Sequence, residues 1–207
     1  TVRFGGGALV CPPDEPGLGM RIFAWGLRDF SSDEEHAALP ELSGWTGDLS
    51  ANSQEFRFSL GGDSAGLRSA LQDAAARFVH PSFREEDWPR SLEYARQQLA
   101  PYQNTAIGVA QGALLQRFSN HHPALAVPTI EMVGQRTLRE FEDWFTPQLN
   151  SAPIEITLVG DFDSAAALDL VARTFGALPA RAKGDPYAEQ RRITYPPKPV
   201  SDTVAFS

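Results

Sequence analysis

One stretch, IEITLVGDFDSAAALDLVARTFGALP from Ile154 to Pro179, constrains the architecture of this chain more than any other. Ile154, Ile156 and Leu158 alternate with Glu155, Thr157 and Val159, the period-2 pattern of a strand with one covered face. Gly160-Asp161-Phe162-Asp163 turns the chain, and the Asp163 carboxylate is placed to accept the open amide hydrogens of a first helical turn. Ala166, Leu168, Val171, Ala172 and Phe175 give the following helix an apolar stripe. Gly176 stands where a left-handed stop belongs, and Pro179 ends any continuation. A strand, a tight turn and an amphipathic helix folded back on a sheet follow from these residues.

The rest of the chain repeats the same two periods. Val2 and Phe4 flank Arg3 in an opening strand, and Phe56, Phe58 and Leu60 alternate with Arg57 and Ser59 in another. Gly44, Gly47 and LSANSQ suggest turns around one or two short strands between them. Helices are predicted over Pro16–Phe30, over a short run from the Ser31-Ser32 cap to Leu42, and from a Ser64 cap through Leu67, Leu71, Ala74 and Phe78. A further helix over Phe83–Tyr102 opens on Glu85-Glu86-Asp87 and carries Trp88, Leu92, Ala95 and Leu99 on one side. Another begins at Asn104 or Thr105, with Ile107, Gln111, Leu114 and Phe118 on one line and Leu115 beside it. HHPALAVPTIEMVGQ reads as a loop, and Thr137-Leu138-Arg139-Glu140 as a capping box opening a helix buried along Leu138, Phe141, Phe145 and Leu149. Thr146-Pro147 and Asn150-Ser151 are expected to close that helix.

Helices with one apolar side and strands with alternating faces predict an α+β fold: a two-layer sandwich, with a mixed or antiparallel sheet and several helices on one face. The apolar content supports one good core and falls short of two. Residues 1–180 are therefore assigned to one α+β domain, with a strand upstream of Thr1 as a missing first element. Residues 181–207 are read as an exposed connector and the start of a following domain, because DTVAF resumes a strand-like alternation. The formal charge is 18 − 26 = −8 with no basic stripe, which argues against nucleic acid as a partner. No apolar run reaches the roughly 20 residues of a membrane-spanning helix. Cys11 is the only cysteine, so no disulfide forms within the chain.

VGDFD, a helix, then FGALP resembles the closing strand and helix of a domain in the insulinase (pitrilysin) family of zinc peptidases, and PSFREEDW and the His-Pro loop at His122-Pro123 extend the resemblance. Catalytic units of that family carry a helix reading roughly G-L-A-H-x-x-E-H, whose two His hold zinc while the Glu polarises the attacking water. Laying Gly17-Leu18-Gly19 on that opening puts Met20 at the first His, Phe23 at the Glu and Ala24 at the second His. Neither H-x-x-E-H nor H-E-x-x-H occurs in the 207 residues. Thioether, phenyl and methyl groups do not hold zinc and ionise its water. The helix that supplies a third ligand in such relatives here ends Arg96-Gln97-Gln98, and Glu93 does not align onto that ligand.

What the resemblance implies is a non-catalytic, substrate-chamber unit of a bacterial insulinase-like zinc metallopeptidase. Such a unit has no catalytic residues, metal ligands or cofactor of its own. The zinc belongs to the catalytic domain of the parent metalloendopeptidase. Its partners are a homologous catalytic domain or subunit and a peptide substrate, and its location is the periplasm or cell envelope. The alternative is a non-peptidase assembly subunit related to processing-peptidase or respiratory-complex core proteins. An independent enzyme with an unfamiliar site is a more distant third.

The other tempting residues have simpler readings. Adjacent His121 and His122, near Glu131, point opposite ways in an extended loop, while a closed metal site needs three or four convergent ligands. His36 and His80 sit at a helix cap and a helix end. Asp161 and Asp163 have turn and cap roles, and no pairing with Asp14 or Asp63 is visible. Ser59, Ser64 and Ser69 lie in no nucleophile elbow, and Cys11 has no base beside it in sequence. Gly5-Gly6-Gly7 is followed by CPPDEPG rather than a phosphate-facing helix, and reads as a bend in a strand.

Overall fold

The computed structural model describes residues 1–11, 45–201 and 203–205. The two helices predicted before Leu42, together with Asp14, Met20, Phe23, Ala24 and His36, lie outside the described residues. Among the described residues the sheet has four strands, β1 (Val2–Phe4), β2 (Thr46–Ala51), β3 (Phe56–Gly61) and β4 (Glu155–Ile156), in the order β2-β3-β1-β4. Every pairing is antiparallel, with Val2 opposite Phe58 and Ile156, and Ala51 opposite Phe56. The alternation read from the sequence sets the faces. Val2, Phe4, Leu49, Ala51, Phe56 and Phe58 are buried on one side, while Arg3, Ser50, Arg57 and Ser59 are half-exposed on the other.

Among the described residues there are six helices: α1 (Leu67–Val79), α2 (Trp88–Asn104), α3 (Ala106–Phe118), α4 (Ile130–Gly134), α5 (Leu138–Ser151) and α6 (Ser164–Arg173). α5 is the keel of the core. Its capping box is present in full: Glu140 N–H donates to Thr137 Oγ1 at 3.3 Å and Thr137 N–H to Glu140 Oε2 at 2.7 Å. Its Phe141, Trp144, Phe145 and Leu149 are buried, and the Phe145 ring stands edge-on to Phe56 and Phe4 at 4.9 and 5.8 Å between centroids. α5 runs through Pro147 to Ser151 rather than closing at it. Gln148 and Leu149 are held in the core one residue further on, and that burial offsets the missing amide.

The triple glycine is a bend, as its sequence suggests, and α5 is what it bends against. Gly6 N–H donates to the buried Gln148 Oε1 at 2.9 Å, and the Trp144 indole N–H donates to the Val10 carbonyl. Gly7 adopts φ +71, and a side chain there would strike the backbone of Glu55 and Asn52. Ala8 and Leu9 donate to the carbonyls of Asn52 and Ser53 in the β2–β3 turn, both at 2.9 Å.

Several local expectations are corrected. α1 starts at Leu67 without a side-chain cap: Asp63 accepts from Gly66 N–H at 2.9 Å in the turn before it, and Ser64 receives Leu67 N–H only through its backbone carbonyl. HHPALAVPTIEMVGQ contains a 3₁₀ turn at Pro123–Leu125 and then α4, capped by Thr129 accepting from Met132 N–H. The strand from Ile154 pairs only at Glu155–Ile156, with two more bonds beyond it, from Thr157 N–H to the Thr1 carbonyl and from Thr1 N to the Thr157 carbonyl, both at 2.9 Å. Asp163 does cap α6, accepting from Ala166 N–H at 2.7 Å. The buried side of α6 is Ala167 and Leu170, however, and Leu168 is 71% exposed. Gly176 is not a left-handed stop. α6 ends at Thr174, whose hydroxyl donates back to the Leu170 carbonyl at 2.8 Å, and Gly176 lies within a 3₁₀ turn.

The largest correction concerns α3. Ile107, Gln111, Leu114 and Phe118 do share a line, but it faces outward: Ile107 is 73% exposed and Phe118 60%. The inward side is Gly108 and Gly112. A methyl group at Gly108 would overlap the Pro101 carbonyl in α2 and stand 2.8 Å from Tyr102 Cα. The chain trades bulk for close approach on that side, and the large apolar groups are left outside.

Candidate functional site

Among the described residues, none of the sequence-flagged side chains is brought into a convergent cluster. His122 Nδ1 accepts from Ala124 N–H at 3.2 Å, capping the 3₁₀ turn, while His121 adopts φ 59 and lies 3.5 Å from Arg117 Nη1. His80 is an exposed helix end, its N–H donating to the Ala76 carbonyl. Glu93 is exposed on α2, where it accepts from Gln97 at 3.0 Å and pairs with Arg96. Glu131, Asp161 and Ser64 are exposed, Ser59 and Ser69 are half-exposed, and Cys11 is half-buried. Among the described residues no three His, Cys, Asp or Glu side chains come together as a metal site would need.

Two surfaces remain that have a shape and a chemistry. The first is the sheet face turned away from the helices. Arg3 and Arg57 stand directly opposite one another on β1 and β3, like charges that repel unless bridged. Glu55 bridges them, 2.9 Å from Arg57 and 3.8 Å from Arg3, and Glu155 sits 3.7 Å from Arg3 on the other side. Ser50 and Ser59 complete a polar, charged face. On the opposite, helix-facing side, where β4 and the residues after it pass α1, a cavity of about 250 Å³ opens between Trp45, Leu60, Leu71, Ile156 and Leu158. Among the described residues β4 is an edge strand of the sheet, the kind of surface on which an extended peptide adds a strand.

The second surface is built by the segment that reads as a loose connector in the sequence. It is strapped down at four places. Arg181 caps the end of α5 through the Leu149 and Ala152 carbonyls, and burial lowers its pKa. Tyr187 Oη meets Ser151 Oγ at 2.7 Å. Arg191 pairs with Asp185 and donates to the Gln54 carbonyl at 2.6 Å. Asn120 Nδ2 donates to Thr194 Oγ1 at 3.4 Å at the end of α3. The strap then runs along α3 and encloses a groove of about 930 Å³ between Ile107, Leu114 and Phe118 on one wall and Tyr195, Pro197 and Val200 on the other. Residues 203–205 have no strand conformation. No pattern of local periodicity marks the strap, because each anchor is a long-range bond made by a single polar side chain.

No protein-family model matches the sequence, and no curated protein matches it. Solved structures do match the fold. The ferredoxin protease FusC, determined in complex with Arabidopsis ferredoxin, superposes with a TM-score of 0.65 at 13% identity, over 89% of this chain and 21% of its own. A protease from Helicobacter pylori gives 0.64 at 13% identity over 94% of this chain and 48% of its own. A conserved protein from Enterococcus faecalis gives 0.65 at 19% identity over 98% and 51%. This chain thus spans between about a fifth and a half of the structures it matches. The α+β, insulinase-like fold expected from GDFD…FGALP is the fold observed.

Proposed function

We propose that this chain is a non-catalytic, peptide-handling unit of an insulinase-like zinc metallopeptidase, in which a second, homologous domain or subunit carries the zinc and the hydrolysis. The carrying observation is a fold shared with two proteases joined to a sequence in which the ligand pattern is missing. The residues present do not fit zinc: Met20, Phe23 and Ala24 offer no imidazole or carboxylate, and the described His and Glu side chains are spread over separate caps and helix faces. The work left to such a unit is to form one wall of a chamber. The open sheet face, with alternating Arg3, Arg57, Glu55 and Glu155, and the β4 edge are suited to hold an extended peptide through its backbone. Among the described residues no helix is long and apolar enough to cross a membrane, and the matched Escherichia coli protease PqqL is periplasmic. We place this unit in the cell envelope on that basis.

The test is metal content and peptide cleavage by the purified chain. The expected result is substoichiometric, easily chelated zinc and no cleavage of a quenched fluorescent peptide library. One tightly held zinc per chain, or cleavage abolished by a chelator, overturns the reading.

A further inference from the structure

One part of the strap is folded on itself rather than onto the domain. Residues 186–191 form a continuous run of turns. Tyr187 N–H donates to Asp185 Oδ1 at 2.9 Å, Arg191 N–H to the Tyr187 carbonyl at 3.0 Å and Arg192 N–H to the Glu189 carbonyl at 3.1 Å. Two ion pairs, Arg191 with Asp185 and Arg192 with Glu189, close the same unit. Its hold on the rest of the domain is narrower. The Tyr187 hydroxyl meets Ser151 Oγ and, at 3.4 Å, the Pro147 carbonyl, and the Arg191 guanidinium donates to the Gln54 carbonyl. The Tyr187 ring lies over Gly6, where a side chain would stand 2.9 Å from its Cγ. Every other residue from 182 to 190 is exposed, so little apolar surface holds the unit down.

We infer that residues 185–192 are a hinged flap, which swings on Gly184 as a unit and uncovers the Gly5-Gly6-Gly7 bend while Arg181 stays in place. The two sides of Gly184 differ in the way a hinge requires. Before it, the Arg181 guanidinium donates to the Leu149 and Ala152 carbonyls and lies 5.6 Å from the Phe78 ring centroid, and Ala182 N–H donates to the Ser151 carbonyl at 3.2 Å. Gly184 adopts φ +90 with nothing within 4 Å of a side-chain position, so no neighbour holds it and glycine takes that conformation without strain. After it, the flap carries its internal bonds with it, and water replaces its few ties to the domain at small net cost. What the flap closes on is a single junction. Gly6 N–H is bonded to Gln148 in α5, and Ala8 and Leu9 donate to the Asn52 and Ser53 carbonyls of the β2–β3 turn. The flap adds Tyr187 on the end of α5 and Arg191 on Gln54, the next carbonyl of that same turn. Closed, it buries Gly6 under an aromatic ring. Open, it leaves the backbone of the bend facing solvent.

The test is fluorine NMR of the full 207-residue chain labelled with 3-fluorotyrosine, the Tyr187 resonance being identified by its loss in Tyr187→Phe. Relaxation dispersion is expected to show that resonance exchanging between two environments on the microsecond-to-millisecond scale. Ser151→Ala removes the hydroxyl partner of Tyr187 and keeps the carbonyl that holds Ala182. It is expected to raise the open population about fivefold with an unchanged melting temperature. Arg191→Ala cuts the tie to Gln54 and is expected to shift the Tyr187 equilibrium in the same direction, because the two ties open together. Amide exchange at Ala182 is expected to be the same in the parent and in Ser151→Ala. A Tyr187 resonance that shows no dispersion and keeps its position in Ser151→Ala means a fixed strap and overturns the inference. So does a Tyr187 resonance indifferent to Arg191→Ala, which means that the two ties fray separately. Faster exchange at Ala182 in Ser151→Ala places the opening before Gly184 and removes the hinge. Zinc content and peptide cleavage enter none of these readings, so the flap and the proposed function stand or fall separately.

Discussion

α5 and α3 look alike in sequence and are opposite in the fold. Each opens on a Thr cap and each carries large apolar residues along one line: Leu138, Phe141, Phe145 and Leu149 in α5, Ile107, Leu114 and Phe118 in α3. In α5 the line is the core, with Phe141, Phe145 and Leu149 at 0% exposure. In α3 the same kind of line is the outer surface. Periodicity establishes which side chains share a face, and it is silent about which face the fold takes. What decides α3 is the other side of the helix, where Gly108 allows a backbone approach that no larger residue permits and Gly112 packs on the Val127 side chain. An apolar line opposite a pair of small residues is thus not necessarily the buried side of its helix.

The hardest way to break this comparison is to truncate both lines equally. Phe145→Ala removes a ring packed against Phe4, Phe56, Phe83 and Phe141, and is expected to cost about 3–5 kcal/mol in urea or guanidinium unfolding. Should that variant not fold, Phe145→Leu gives a smaller loss of the same sign. Phe118→Ala, at 60% exposure, is expected to stay within about 0.5 kcal/mol of the parent. Comparable losses at the two positions would mean that the α3 line is buried in solution and that its outward placement is wrong.

A second variant sharpens the reason for the difference. In an ordinary helix Gly→Ala gains up to about 1 kcal/mol from propensity. Gly108→Ala should do the reverse, losing about 1–3 kcal/mol net, because the new methyl group meets the Pro101 carbonyl and Tyr102 Cα, backbone that cannot swing aside. At Gly112 the nearest atom is the Val127 Cγ2 methyl at 3.2 Å, the end of a side chain that can yield, so Gly112→Ala is expected to be milder. Stabilisation by Gly108→Ala would remove the close-packing account of why α3 faces as it does.

The features legible in the sequence are those that a few neighbouring residues settle. The alternation in β3, the Asp163 cap, the T-x-x-E box and the GDFD…FGALP resemblance each involve chemistry within a few positions, and each is present. The features missed depend on distant partners. Whether Leu168 or Leu170 turns inward along α6 depends on what α6 packs against, and an Ala-rich opening turn gives little indication. The strap from Arg181 to Thr194 is polar enough to read as solvent-exposed, yet is fixed by Arg181, Tyr187 and Arg191 reaching backbone more than thirty residues away. The candidate surfaces divide in the same way. The polar sheet face follows from strand alternation, whereas the groove needs α3 and a segment some eighty residues later to be placed side by side.

The two Thr caps give the smallest and most discriminating contrast. Thr105 Oγ1 accepts from Gly108 N–H at 3.0 Å and has no charged partner in that cap. Thr137 has Glu140, whose carboxylate is pushed up by burial but held on balance below its ordinary pKa by the Thr137 amide and hydroxyl and by Arg136. A carboxylate depressed in the folded state contributes stability above its unfolded pKa, near 4.3, and that contribution is lost as pH falls through the lower folded value. At pH 7 each Thr→Ala substitution is expected to cost about 1 kcal/mol. Below about pH 4 the cost of Thr137→Ala should shrink, since protonation of Glu140 has by then weakened the reciprocal bonds in the parent as well, while the cost of Thr105→Ala should stay level. Unfolding midpoints for both variants and for Glu140→Gln between pH 7 and pH 3 measure this directly. Parallel pH profiles for the two caps would mean that the Glu140 arm of the box contributes nothing, leaving α5 held by its buried rings alone.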